Sequence, residues 1–350
     1  MSSVRNAFFH SENKEKVLFF ILACFFLLIF SQFPVLDYHY YADAARSWLD
    51  GSSALYDSKT SHFYYLPWTL IFLVPLSFLP DNWGQAILNL ISVSGLIWGV
   101  KKLLPKISFS RTALSIVNPF TISILILGQW DAIIVIGVVL AWQALKKNKS
   151  WLLGLAVCII CTKPNNVILP ILLFIIGIRN WPLKDILITF FPIISIILIS
   201  TIFFGTDWPI RYLKFIKISP PLGHNISLWK IGFSFYFLIL LSIPILWSII
   251  YLIIKNDVNE NLICYSLVAN LIISPYVVPY HFVYTVPALA ILAASKLRIF
   301  QTLWVVSTIL FLMFLFQQQI RPSFYLQVYP VILLAIIFLL SISHTSQYDK

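Results

Sequence analysis

Long apolar runs, each closed by a short polar or charged loop, repeat along the chain from Val17 to Ser343. They fall at 17–33, 83–104, 112–127, 129–145, 151–162, 165–178, 184–204, 230–254, 260–274, 281–295, 299–317 and 323–343. Many approach the roughly 20 residues that a helix needs to cross a hydrocarbon core about 30 Å thick. Inside a bilayer, backbone N–H and C=O groups can bond only to one another, so runs of this kind predict helices. The expected fold is all-α and polytopic, with about 11–13 transmembrane helices. The pair 151–162 and 165–178 is short enough to be one broken feature. The segment 66–80 is also apolar, but it is short and holds Pro67, Pro75 and Pro80.

Composition excludes a water-soluble alternative. Hydrophobic residues make up 60% of the chain and charged ones 11%, against about 45–50% and about 25% in soluble domains. A single integral membrane domain over 1–350 is expected, with no room for a separate soluble one. The run 17–33 is long for a signal-peptide core and lacks a small-x-small cleavage site, so it reads as a retained first span behind a tail at 1–16. The cysteines Cys24, Cys158, Cys161 and Cys264 all lie in apolar runs. Cys158-x-x-Cys161 has no neighbouring His or carboxylate, which points to packing rather than a zinc or redox site. No cofactor is expected.

The net charge of +11 would suggest nucleic acid in a soluble chain. Here the cations stand at span ends and read as topological signals, so nucleic acid is not an expected partner. If the N-terminus is cytoplasmic and 66–80 dips in without crossing, 16 of the 24 Lys and Arg residues fall on the cytoplasmic side. Letting 66–80 cross reverses the bias. The positive-inside rule therefore favours a multi-pass protein of the cell membrane with loops 34–65 and 205–227 on the non-cytoplasmic face.

Loop 34–65 contains an amphipathic stretch. Tyr41, Ala45, Trp48 and Leu49 fall on one helical face, while Asp43, Arg46 and Asp50 fall elsewhere. This predicts a helix lying in the membrane interface, ended by Gly51 where a left-handed residue is wanted. No internal repeat is evident, which weakens an inverted-repeat transporter reading.

Candidate chemistry gathers on the same outer side. Asp37 precedes the interfacial helix and reads either as its N-cap or as a general base for an acceptor hydroxyl. Gly128-Gln129-Trp130-Asp131 is a tight turn that also carries an amide and a carboxylate. Lys163, in Thr162-Lys163-Pro164-Asn165-Asn166, lies in an apolar context. A charge at bilayer depth costs about 2.5–3.5 kcal/mol on insertion scales and implies function unless it snorkels to the interface. Arg211, Lys214, Lys217, His224, Asn225 and Ser227 cluster in the loop 205–227, suited to a phosphate-bearing lipid or simply to anionic headgroups. Tyr280-His281 closes the series at the mouth of a span, where the histidine is either a neutral packing residue or a partner for a leaving phosphate.

In chain order, these elements resemble a known family. Asp37 with Tyr41, Gly51 with Leu55-Tyr56-Asp57, Tyr65-Leu66-Pro67 running to Pro75-Leu76, and Asn118-Pro119 come first. Gly128-Gln129, Lys163-Pro164, Asn225-x-Ser227-Leu228, and Ser274-Pro275 before Tyr280-His281 follow. The series is similar to the polyprenyl-phosphate-mannose-dependent mannosyltransferases of glycosyltransferase family 87, in the GT-C superfamily, over roughly residues 30–295.

The resemblance implies a GT-C-like enzyme that moves a sugar, with mannose expected, from a polyprenyl-phosphate donor to a lipid or glycan acceptor on the non-cytoplasmic face, with inversion. It implies Asp37 as base, with His281 a second catalytic residue. Lys163, Gln129, Tyr41, Asn225 and Tyr280 would then bind the donor, and Asp131 would serve the acceptor or act as a secondary acid. Leu66-Pro67 departs from the family's usual proline pair, and Asp131 with loop 205–227 suggests a different acceptor. Membrane lipids are the remaining expected partners. The rival reading is a lipid or solute transporter that uses Lys163 and Asp131 as a binding pair.

Overall fold

The computed structural model describes residues 20–51, 54–56, 62–218, 225–228, 258–316 and 329–337, with positions 17, 246, 250, 254 and 326. Most of the expected span 230–254, His224, the tail 1–16 and parts of the first and last spans lie outside the described residues. Among the described residues the fold is helical throughout, with no strand. It is a polytopic membrane fold.

The order is α1 (Phe20–Phe30), α2 (Tyr38–Leu49), α3 (Thr69–Ser77), α4 (Asp81–Leu103), α5 (Phe109–Ile116), α6 (Pro119–Leu127) and α7 (Asp131–Lys146). Then come α8 (Ser150–Ile160), α9 (Ile168–Gly177), α10 (Leu183–Phe204), α11 (Trp208–Ile218), α12 (Glu260–Ile273), α13 (Val286–Ser295) and α14 (Leu297–Phe316). Short 3-10 turns at Pro164–Asn166 and Pro279–Thr285 precede α9 and α13.

Burial is inverted relative to a soluble protein. On α10 the buried residues are Thr189, Pro192 and Ser200, while Leu187, Phe191, Ile194, Leu198 and Ile202 face outward. Gln85, Asn89, Asn118 and Asn270, by contrast, are buried. Large apolar side chains outside and amides inside is the distribution that a lipid surround favours, because polar groups can be satisfied only within the bundle.

Among the described residues, only α4 and α10 are long and apolar enough to cross alone, at 23 and 22 residues. The run expected as one span over 112–127 is instead α5 and α6, bent by 63°. Pro119 has no N–H to continue the helix, and Asn118 caps α6 by accepting from the N–H groups of Phe120 and Thr121. The run at 151–178 is likewise broken, by the turn that carries Lys163. α3 has nine residues, a rise of about 14 Å, roughly half the hydrocarbon thickness.

Packing centres on α7, which meets α4, α8 and the Pro279–Thr285 turn, and on α12 against α9. Cys158 and Cys161 are unpaired and pack within α8 and its end.

α2 has the bounds that the loop pattern predicts. Its inward face is Tyr38, Tyr41, Ala42 and Ala45, one turn displaced from expectation, and Leu49 is 46% exposed. Gly51 is left-handed, with φ +77°. Arg46 ties α2 to the α3–α4 corner through the Asp81 carboxylate and the Ser77 carbonyl at 3.1 Å.

Candidate active site

Asp37 directly precedes α2, but its side chain makes no capping bond. Its carboxylate Oδ2 instead accepts from Gln129 Nε2. The capping reading of Asp37 therefore fails, and the carboxylate is turned into the protein.

Both partners are pinned to one helix end. Asp37 donates its backbone N–H to the Leu127 carbonyl (3.1 Å), and Gln129 donates its own to Ile124 (2.9 Å). Gly128 makes the turn between them at φ +70°, and a Cβ there would lie 2.8 Å from Tyr38 Cβ. The amide of Gln85 gathers the same region, donating to the carbonyls of Pro34, Leu125 and Ile126 at 3.2–3.3 Å. Asn89, one turn along α4, donates to Leu125 at 2.8 Å.

Beside this pair opens a cavity of about 280 Å³, at the small end of the about 300–1,000 Å³ usual for ligand sites. Tyr41, Tyr65, Gln129 and Lys163 form its buried floor. Asp37, Tyr40, His62, Tyr64, Tyr276 and Tyr280 form the more open wall. Tyr40 packs its ring 4.6 Å from that of His62.

Lys163 sits at the break between α8 and α9. Its Nζ lies 3.0 and 3.2 Å from the two oxygens of Asp131, the first residue of α7, where the helix dipole favours a carboxylate. The ammonium also faces the rings of Tyr65 (5.2 Å) and Tyr280 (5.3 Å), an arrangement in which ring quadrupoles attract the cation. Behind it, Tyr284 donates to Asp131 Oδ1 at 2.7 Å. His281 Nε2 stands 2.9 Å from Lys163 Nζ and 3.6 Å from Asp131 Oδ1. Asn166 Nδ2 approaches the same imidazole at 3.2 Å. A buried charge needs a partner of this quality.

Burial raises the Asp37 carboxyl above its ordinary value; the Gln129 N–H, then His39 and Lys163, pull it partly back. Among the described residues no group of three His, Cys, Asp or Glu is placed to hold a metal ion.

Five expected site residues share the cavity: Asp37, Tyr41, Gln129, Lys163 and Tyr280. Three do not. Asp131 and His281 are fully enclosed, one layer behind Lys163, so neither faces the cavity as expected. Asn225 stands outside it. Its Oδ1 accepts from Val277 and Ser227 N–H, and its Nδ2 donates to Pro275, so it braces the loop carrying Tyr276. Of the loop cations, Arg211 pairs with Asp207 at 3.1 Å, and neither Lys214 nor Lys217 lines the cavity.

Sequence reasoning missed Tyr65 as a floor residue, and also Tyr284, Gln85 and Asn89. Two amides one turn apart in an apolar run were a usable signal for the last two, since each would be costly in lipid without a partner. Tyr284, three residues after His281, is one 3-10 turn away and shares its face.

A family model described as glycosyltransferase family 87 matches residues 63–275, well over half of the chain. The match includes Tyr65, Gln129, Asp131 and Lys163, while Asp37 precedes it and Tyr280 and His281 follow it. No curated protein and no solved structure matches the chain.

Proposed function

Since the chain belongs to glycosyltransferase family 87 and is thereby a membrane glycosyltransferase, we propose that it transfers mannose from a polyprenyl-phosphate donor to a lipid or glycan acceptor. The reaction takes place on the non-cytoplasmic face of the cell membrane. The single observation that carries this reading is that Asp37 and Lys163 both line one small cavity.

The two groups suit opposite ends of the reaction. Asp37 takes the proton of the acceptor hydroxyl as its oxygen attacks the anomeric carbon. The bond from that carbon to the phosphate oxygen breaks on the other face, so the sugar inverts. The phosphate leaves with the electron pair and changes from a diester to a monoester, gaining one negative charge. Lys163 stands ready to meet that charge, which is stabilisation where charge develops. Asp131 and His281 act on Lys163 rather than on substrate, by fixing where its ammonium points. The tyrosine-rich wall supplies flat apolar surface and hydroxyls for a sugar ring. A prenyl tail remains in the lipid that the exposed faces of the fold require.

Purified protein in lipid nanodiscs, given labelled polyprenyl-phosphate mannose and a panel of glycolipid and glycan acceptors, should release polyprenyl phosphate and form a new glycoside. A glucose-bearing donor run in parallel tests the sugar. Transport of label across a sealed vesicle without glycoside formation would overturn the reading in favour of a transporter.

A further inference from the structure

The cavity floor holds a connection that the transfer reaction does not by itself require. Tyr41 donates to Gln129 Oε1 at 2.7 Å. The Tyr65 hydroxyl reaches the same oxygen at 3.3 Å and stands 3.1 Å from that of Tyr41. An amide oxygen can only accept, so two hydroxyls converging on it leave Nε2 on the opposite side. There it donates to Asp37 Oδ2.

We propose that Tyr41 and Tyr65, acting through Gln129, are positioning residues that hold Asp37 as a carboxylate with one oxygen committed and the other free for the acceptor. This rests on the assignment of Asp37 as base. Reversing the amide would set Gln129 Oε1 against the Asp37 carboxylate, two acceptors with no proton between them, unless Asp37 were protonated. Amide orientation and Asp37 ionisation are therefore coupled, and the tyrosines weight the orientation that demands the charged form.

The geometry supports a device rather than a chance contact. Asp37, just before α2, and Tyr41 within it are one helical turn apart, so they meet the same side chain from one face. Tyr65 arrives on a separate segment, whose neighbour Leu66 donates its N–H to the Thr162 carbonyl at 3.0 Å. The ring of Tyr65 faces Lys163, so one residue touches both the base's support and the cation. The other titratable groups around Asp37 are His39 and Tyr40 on α2, His62 and Tyr64, Lys163, Tyr276 and Tyr280. Asp131 lies beyond Lys163.

The test is the pH profile of turnover in Gln129→Glu and in the double variant Tyr41→Phe/Tyr65→Phe, with donor KM and melting temperature measured alongside. Glu preserves shape but replaces the donor with a second acid, so the acid limb should move up by a pH unit or more. Turnover at neutral pH should fall about tenfold or more. The double variant keeps both rings and removes the weighting, so its limb should move in the same direction by less. Should Gln129→Glu fail to fold, the double variant alone decides. A limb that stays in place in a folded variant overturns the proposal. An Asp37→Asn enzyme with near wild-type turnover would instead strike the base assignment, which separates the two failures.

Discussion

Lys163 grips both oxygens of Asp131, at 3.0 and 3.2 Å, and still lines the cavity. The side chains are 7% and 0% exposed, so the pair is a buried one. Removing one member of such a pair typically costs about 3–5 kcal/mol, because the other charge is stranded. Lys163→Met and Asp131→Asn should each lower the melting temperature clearly. The double variant should regain most of the lost stability, since no charge is then stranded, yet remain inactive because the phosphate has lost its cation. Recovery of both stability and turnover in the double variant would show that Lys163 serves folding alone.

Asp37→Asn should cost about 10²–10⁴ in turnover, the range of a general base, without loss of stability. The Asp37 side chain makes no cap bond to lose, and Asn can still accept from Gln129. The linkage has a definite sign. Burial raises the carboxyl in the folded state, so the stability it contributes is present below its unfolded value and fades as pH rises through the folded one. At neutral pH the charge is a liability, and the Asn variant should melt at the same temperature or higher. Thermal unfolding in detergent at pH 7 measures this.

Turnover should fall as pH drops through the raised Asp37 value, because a protonated base cannot accept the acceptor's proton. The midpoint should lie above the ordinary 3.8. Lys163 lies among the groups that pull the carboxyl back down. In Lys163→Met, residual activity should therefore show a midpoint shifted further upward. A downward shift would mean that another group controls the limb.

Topology can be tested at two exposed serines. In a background lacking Cys24, Cys158, Cys161 and Cys264, Ser47→Cys on α2 should react with an impermeant thiol reagent in intact cells. Ser110→Cys near the start of α5 should react only after the membrane is opened. The opposite result would move the cavity to the cytoplasmic face and contradict the cation-count argument.

Local features of the site were readable in the chain. The bounds of α2, the stop at Gly51 and the isolation of Lys163 at a helix break all follow from neighbours within a turn or two. Longer-range contacts were not. Gln129 meets Asp37 across 92 positions and Tyr41 across 88, and no spacing rule connects residues so far apart. The same blindness misplaced Asn225 and His281. A polar residue near a span mouth reads alike whether it faces a cavity or braces a loop behind it. The break at Asn118-Pro119 was visible as a pair of residues but not as a 63° bend, because apolarity runs unbroken across it.

The attachment of Asp37 and Gln129 to the end of α6 gives the site a mechanical property. α1 presents Phe20, Ile21, Phe25 and Leu28 to its surroundings and will tilt as bilayer thickness changes. Between α1 and Asp37 stands the short link 31–36, which Asn82 and Gln85 of α4 bind through the Ser31 and Pro34 carbonyls. The Asp37–Gln129 spacing, however, is set by bonds to Leu127 and Ile124 on a different helix. The base and its amide therefore ride on the same short rod, so their separation does not depend on how α1 tilts.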